Sequence, residues 1–311
     1  MKKLAVVAIG GNAVNRSGEE PTAENMFRNL SETARYLVEM LDDYRVVITH
    51  GNGPQVGNLL VQQDLAKDVI PPFPLDVNDA QTQGSLGYMI SQTLYNALMD
   101  LGKKHDVVTV ITQIIVDKND PAFENPTKPV GPFYDRETAL KLAKEKGWKV
   151  VEDSGRGWRR VVPSPKPLDI VEKDVIRKLI DDGITVIAAG GGGIPVVLEN
   201  GKLKGVEAVI DKDRASALLA KKIDADLFLI LTSVERVYLN FNKPNATPLD
   251  ELKVEQAKLY LSQGHFPKGS MGPKIESAVD FVGSTGRECI ITDLSKLKEA
   301  LDGRTGTRII P

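Results

Sequence analysis

Cysteine is almost missing from this chain: Cys289 is the only one among 311 residues. An internal disulfide and a cysteine-built metal cluster are therefore excluded, and a reducing, cytoplasmic setting is expected. Histidine is scarce too, with three residues, so a zinc site lacks ligands at workable spacing and no resident metal site is expected. No apolar run approaches the ~18 residues of a membrane span. The N-terminal run ends at Ile9 before Gly10-Gly11-Asn12 and reads as a buried strand rather than a leader. Charge of one sign is also lacking: 40 basic residues face 42 acidic ones, a net charge of -2, so neither nucleic acid nor a membrane surface is expected as a partner. No Gly-x-x-x-x-Gly-Lys-Ser/Thr loop occurs, Gly51-x-Gly53-x-x-Val56 misses the third glycine of a dinucleotide fingerprint, and no Gly-x-Ser-x-Gly elbow is found. P-loop ATPases, Rossmann dehydrogenases and serine hydrolases of that type drop out.

What the chain does contain is alternation. Leu4 to Ile9 is apolar without a period of two, as in a strand covered on both faces. A helical period follows over Thr22 to Leu41, then a short strand over Val46 to Thr49 that ends at Gly51-Asn52-Gly53-Pro54. Helices are predicted at Gln55 to Lys67 and Ala80 to Leu101, and a strand at Val107 to Thr112. This is the order of an α/β sheet whose strand ends form a ligand-binding edge. Prolines then gather between Asp120 and Pro132 and between Val161 and Pro167, bracketing a helix at Arg136 to Lys146. They mark an inserted subdomain at about 120–166. Its stiff connections suit a lid that moves as a unit, and Lys128 is fixed between prolines. The plainer alternative is a decorative insertion ending in the solvated basic turn Gly155-Arg156-Gly157-Trp158-Arg159-Arg160. Alternation then resumes with helix Val171 to Asp182, strand Ile184 to Ala189, an Asn200-Gly201 hairpin, helix Asp213 to Ile223 and strand Leu227 to Leu231. A second hairpin starts at Val237 to Phe241, helices follow Lys253 and Met271, and Glu288 to Thr292 and Thr307 to Ile310 are the last strands.

Two stretches carry candidate chemistry. Gly190 to Gly193 leaves no side chains to keep an anion from the backbone amides, and Val209-Ile210-Asp211-Lys212-Asp213 follows it. A surface loop followed by a helix capped by Asp211 is the competing reading. Lys274 lies in the glycine-rich turn Lys268-Gly269-Ser270-Met271-Gly272-Pro273-Lys274, which enters a helix. Cations are disfavoured at helix N-termini, so a nearby anion explains a lysine there. Glycine turns at strand ends together with isolated lysines fit phosphoryl transfer, in which a protein mainly positions reactants and neutralises charge. Asp213 would hold the two lysines in place, and Asp211 would do likewise or ligate Mg²⁺. His50 is read as a strand-end residue satisfied by backbone rather than as a catalyst.

With these residues in view, the chain resembles the carbamate kinases, of the amino-acid kinase fold, over essentially its full length. The resemblance rests on Gly10-Gly11-Asn12-Ala13, His50 to Gly57, Asn125-Pro126-Thr127-Lys128-Pro129, Gly155 to Arg159, Gly190 to Pro195, Val209 to Asp213 and Gly269 to Lys274, in that order. It implies reversible phosphoryl transfer between ATP and carbamate with Mg²⁺, used to make ATP from carbamoyl phosphate in arginine catabolism, by a cytoplasmic homodimer. It implies that Gly10, Gly11, Asn12, Gly51, Asn52 and Gly53 cradle carbamate and the moving phosphoryl group. Lys212 and Lys274 would stabilise charge, Asp213 would organise them, and Lys128 would reach in from the insertion. The nucleotide would lie near Gly191, Gly192, Gly193, Asp211, Thr232, Ser233, Met271 and Gly272. The expected fold is α/β: a three-layer sandwich with a mostly parallel central sheet, a protruding insertion and two lobes, about 1–183 and 184–311. Two places depart from the family pattern. Asn78-Asp79-Ala80-Gln81 replaces a more apolar turn, and Ser233 stands where an acidic residue or glycine is common, so local substrate and nucleotide contacts are in question there. A same-fold kinase for another small carboxylate would need an anion clamp for the acceptor's side chain. A silent metabolite sensor would be expected to lack one of Lys128, Lys212, Asp213 and Lys274, all of which are present.

Overall fold

The first strand, Lys3–Ile9, shows how the molecule is layered. Leu4, Val6 and Ala8 enter one hydrophobic cluster, whereas Ala5, Val7 and Ile9 enter another. Successive side chains of a strand point to opposite faces, so an unbroken apolar run means that both faces are covered. The computed structural model describes residues 2–16, 18–153, 155, 157–241, 243–267 and 269–311. One sheet face is covered by helices Ala23–Met40, Leu75–Asp100 and Leu297–Leu301, the other by Lys173–Asp181, Lys212–Lys222, Val254–Ser262 and Met271–Thr285. The expected three-layer α/β sandwich is therefore present.

The central sheet has eight strands in the order Glu251–Lys253, Thr307–Ile310, Cys289–Asp293, Leu227–Thr232, Lys3–Ile9, Tyr44–His50, Thr185–Ile187, Val107–Thr109. Cys289–Asp293 pairs antiparallel with Thr307–Ile310, and every other neighbouring pair is parallel. Helix Arg136–Lys146 has the predicted bounds, because Asp135 caps Thr138 N at 2.8 Å and Gly147 ends it in the left-handed region. Asn200 and Gly201 both have positive φ, as a type I′ hairpin requires, and join the paired Glu199 and Lys202.

Two predicted bounds shift for tertiary reasons. The strand read as Val107 to Thr112 leaves the central sheet after Thr109 and restarts at Gln113–Val116 in a four-stranded sheet. Between them the Gln83 side chain accepts from the Thr112 N–H at 2.8 Å and donates to its C=O at 3.1 Å, while Ile194 N of the second sheet donates to the same C=O at 2.9 Å. The helix expected from Ala80 begins at Leu75, where the carboxylate of distant Glu207 accepts the Leu75 N–H at 2.9 Å. The insertion forms its own three-stranded antiparallel sheet, ordered Lys128–Tyr134, Trp158–Val162, Lys149–Glu152, with helix Arg136–Lys146 beside it. Arg156 of the basic turn and Lys268 of the glycine-rich turn lie outside the described residues. No helix is long and apolar enough to cross a membrane among the described residues.

Candidate active site

Parallel strands bring their C-terminal ends to one edge. Ile9 stands beside His50, and Ala8 beside Ile230, so the turns that begin at Gly10, Gly51 and Thr232 open next to one another. Helix Lys212–Lys222 starts against this edge. Asp211 is its cap: Oδ1 accepts from Asp213 N at 3.0 Å and from Arg214 N at 3.4 Å. Asp211 thus caps the helix as the competing reading expected, but the glycine loop before it is largely buried rather than on the surface, and the second carboxylate oxygen of Asp211 accepts from Lys128 Nζ at 2.9 Å across from the insertion.

Asp213 lies at the centre of the charges. Its Oδ1 pairs with Lys212 Nζ at 2.9 Å and its Oδ2 with Lys274 Nζ at 3.1 Å, and its side chain is only 5% exposed. Burial alone would raise the Asp213 carboxyl, but the two ammonium groups outweigh it and hold it below the usual carboxylate range. Lys212 is pinned further by donating to Ile9 O at 3.2 Å. Two cations so placed retain capacity for an anion, because one carboxylate neutralises only half of their charge. Lys274 is in the first turn of helix Met271–Thr285, as expected, so the helix dipole also favours an anion here.

Three cavities meet at Lys274. One of about 260 Å³ is lined by Gly51, Asn52, Gly53, Lys128, Gly191, Asp211, Lys212, Asp213 and Lys274. A second, of about 560 Å³, runs along Gly10, Gly11, Asn12, Thr232, Ser233 and Lys274. The third, of about 220 Å³, is an aromatic cleft between Thr232, Ser233, Tyr238, Phe241, Phe266 and Met271 that again reaches Lys274. The structure therefore gathers Gly51, Asn52 and Gly53 with all three lysines, while Gly10, Gly11 and Asn12 border the adjoining cavity. Tyr238, Phe241 and Phe266 were missed from the sequence. Tyr238 and Phe241 belong to a predicted hairpin whose apolar side is the available signal, and nothing local marks Phe266.

The four-glycine loop, expected near the nucleotide, is closely packed. A Cβ at Gly190 would stand 2.5 Å from His50 Nε2, one at Gly191 2.2 Å from Asn52 Nδ2, one at Gly192 2.2 Å from Ile210 O and one at Gly193 2.2 Å from Ile114 Cγ1. Glycine is required for close approach, and Gly191 alone of the four lines one of these cavities, on the Asn52 side. Gly272 is buried, with its N–H bonded to Pro267 O at 2.9 Å. His50 is buried with Nδ1 3.1 Å from Gly51 O, and burial lowers its pKa to about 4, so the imidazole is neutral and packed as expected. Among the described residues, no group of three histidine, cysteine, aspartate or glutamate side chains could hold a metal ion.

At the first departure the Asn78 and Asp79 side chains are buried, whereas Ser233, the second, is exposed and lines two of the cavities. Asn78 donates to Phe73 O and Pro74 O, each at 3.0 Å, and so ties down the first turn of helix Leu75–Asp100. Asp79 Oδ1 accepts from Asn52 Nδ2 at 3.1 Å. Burial pushes the Asp79 carboxyl up to about 8, with Asp76 and Glu207 acting in the same direction and the Asn52 bond opposing them.

Comparison with known proteins now bears on this geometry. Residues 3–293 match the model of the amino acid kinase family. The carbamate kinase of Thermococcus kodakarensis is 54% identical over 99% of both chains, and that of Pyrococcus furiosus is 54% identical over the whole of both. The structure of carbamate kinase from Giardia lamblia bound to AMP-PNP superposes with a TM-score of 0.94 at 45% identity, covering 99% of this chain and 98% of that one. By residue pattern, fold and full-length likeness, the chain belongs to the amino acid kinase family and, within it, to the carbamate kinases.

Proposed function

We propose that this chain catalyses reversible phosphoryl transfer between ATP and carbamate, giving ADP and carbamoyl phosphate. The observation that carries the reading is the Lys212–Asp213–Lys274 cluster at the junction of the cavities, within a family whose named relatives are carbamate kinases. Carbamate occupies the cavity beside Gly51, Asn52 and Gly53, and Gly10, Gly11 and Asn12 border the path of the moving phosphoryl group. ATP lies along Thr232, Ser233 and Met271 with its base in the aromatic cleft and its γ-phosphate directed past Lys274. Gly192, Gly193 and Gly272 act through packing, and Gly191 by admitting Asn52.

In the forward direction a carbamate oxygen bonds to the γ-phosphorus while the bond from that phosphorus to the β–γ bridging oxygen breaks, and ADP leaves with the electron pair. Carbamate enters already as an anion, so no general base is needed. That suits a site whose histidine is buried and neutral. Lys212 and Lys274 meet the charge on the equatorial oxygens, Asp213 keeps them apart and aimed, and Lys128 adds a third cation from the insertion, which acts as a lid. Mg²⁺ fits as a partner of the nucleotide: Asp211 offers one carboxylate, and the phosphates supply most of the oxygens such an ion takes. When bound, the ion neutralises phosphate charge.

The physiological direction proposed is ATP formation from carbamoyl phosphate in arginine catabolism, in the cytoplasm. The chain is further proposed to act as a homodimer, supported by the exposed Tyr88, Tyr95 and Met99 along helix Leu75–Asp100. Sedimentation at micromolar concentration tests the dimer, and a monomer there would refute it. The function is tested with purified protein, Mg²⁺, ADP and carbamoyl phosphate. ATP should form well above the rate of spontaneous carbamoyl phosphate decay, and ATP no higher than in that control would sink the reading.

A further inference from the structure

Asp79 is a buried carboxyl that the reaction described above does not use. It is 4% exposed, and its Oδ2 has no hydrogen-bond partner among the described residues. A buried polar atom left this way costs free energy, so it calls for a reason. Its other oxygen supplies one. Asn52 Nδ2 donates to Asp79 Oδ1 at 3.1 Å and to Thr82 Oγ1 at 2.8 Å. Thr82 spends its single hydroxyl proton on Asp79 O at 2.8 Å, so toward Asn52 it can only accept. Both amide protons of Asn52 are thereby directed into helix Leu75–Asp100. On the opposite side Gly191 lies flat against the carboxamide, at a distance that no Cβ would allow. What remains is Asn52 Oδ1, which accepts no bond among the described residues and belongs to a side chain lining the cavity with the lysines.

We propose that Asp79 is a positioning residue that locks the Asn52 carboxamide with its oxygen toward the acceptor, so that the site takes a hydrogen bond from the acceptor's amino group. This rests on the carbamate reading and deepens it by naming what the site recognises. An acceptor with a methyl group in place of the amino group leaves Asn52 Oδ1 without a donor, and a site built to bond a polar group rejects the analogue that lacks it. Without Asp79, the amide gains freedom to rotate its own N–H groups into the cavity, where they no longer discriminate between the two. Thr82 alone holds one proton and does not fix the flip as firmly as two acceptors do.

The test compares ATP formation from ADP with carbamoyl phosphate and with acetyl phosphate, which differ only in amino against methyl. Asp79→Ala should lower kcat/KM for carbamoyl phosphate by about 10-fold, the scale of one hydrogen bond, while acetyl phosphate changes less than about 2-fold. KM for ADP should stay unchanged. Asp79→Asn keeps an acceptor oxygen for Asn52 and should restore the preference. Thr82→Val, which removes the second anchor, should erode it in the same direction, and this variant together with Asp79→Asn decides the matter if Asp79→Ala does not fold. An equal loss with both phosphates would show a merely structural role and overturn the inference, as would an unchanged preference in Asp79→Ala and Thr82→Val. Wild-type protein inert toward carbamoyl phosphate overturns the carbamate reading and this inference together. Active wild type with an unmoved preference in the variants overturns the inference alone.

Discussion

Asp213 and Asp79 are both 4% exposed, yet they are in opposite states. Asp213 has an ammonium group against each carboxylate oxygen and is held ionised below the usual range. Asp79 meets one neutral amide, lies near the like charges of Asp76 and Glu207, and is pushed up to about 8. Desolvation acts on both. What differs is whether opposite charge is within reach, and that decides whether a buried carboxyl is an electrostatic anchor or a neutral hydrogen-bonding group.

The sharpest way to break this contrast is at the charges Asp213 holds. Lys212→Ala should slow ATP formation from carbamoyl phosphate by at least ~100-fold, the scale of losing one transition-state donor, in a coupled ATP assay. A loss under threefold would mean the cluster is not where charge develops. Asp213→Asn leaves two cations facing each other across a neutral amide, and should lower unfolding stability by about 3 kcal/mol at pH 7 in urea titration. Lys128→Ala touches the same cavity from the insertion, so turnover should drop about 10-fold while ADP binding by calorimetry is nearly unchanged. Equal loss of ADP affinity would argue against its acceptor-side place.

The smallest effects concern proton linkage, and there the two aspartates pull oppositely. Asp213 has a depressed folded pKa, so its stabilisation is present above the unfolded value near pH 4 and is lost as pH falls through the folded one. Asp79 has a raised folded pKa, so its contribution is present below about pH 4 and is lost as pH rises through about 8. Asp79→Asn should therefore flatten the decline of stability between pH 5 and 8 and leave the acid limb intact, whereas Asp213→Asn should flatten the acid limb. His50, lowered to about 4, adds stability above about pH 6.5 that falls away as pH drops through 4, and His50→Gln should remove that part. Melting curves across pH would expose parallel slopes in wild type and variant if these assignments are wrong.

Much of this was legible in the chain. The unbroken apolar run Leu4 to Ile9 implied a sheet covered on both faces, and strand-end glycines implied an edge open to ligands. Lys212, Asp213 and Lys274 were readable because a charged trio follows a glycine loop and because a lysine at a helix start opposes the helix dipole unless an anion is near. The four glycines were readable as special, but their reason was hidden. Their constraint comes from His50 and Asn52, Ile114 and Ile210, which approach from three separate places in the sequence. The same holds for Thr112, where Gln83 interrupts the strand, and for Leu75, where Glu207 caps a helix start 132 residues away.

The sequence by itself determined the alternation of strands and helices, the reaction class and the three lysines, because period, turn chemistry and charge placement are local properties. Only the tertiary structure decided that the cavities meet at Lys274, that the glycine loop packs against His50, Asn52, Ile210 and Ile114, and that Asp79 bonds Asn52. Those depend on which side chains the fold brings within a few ångströms, and hydrogen bonds and burial exist only at that range.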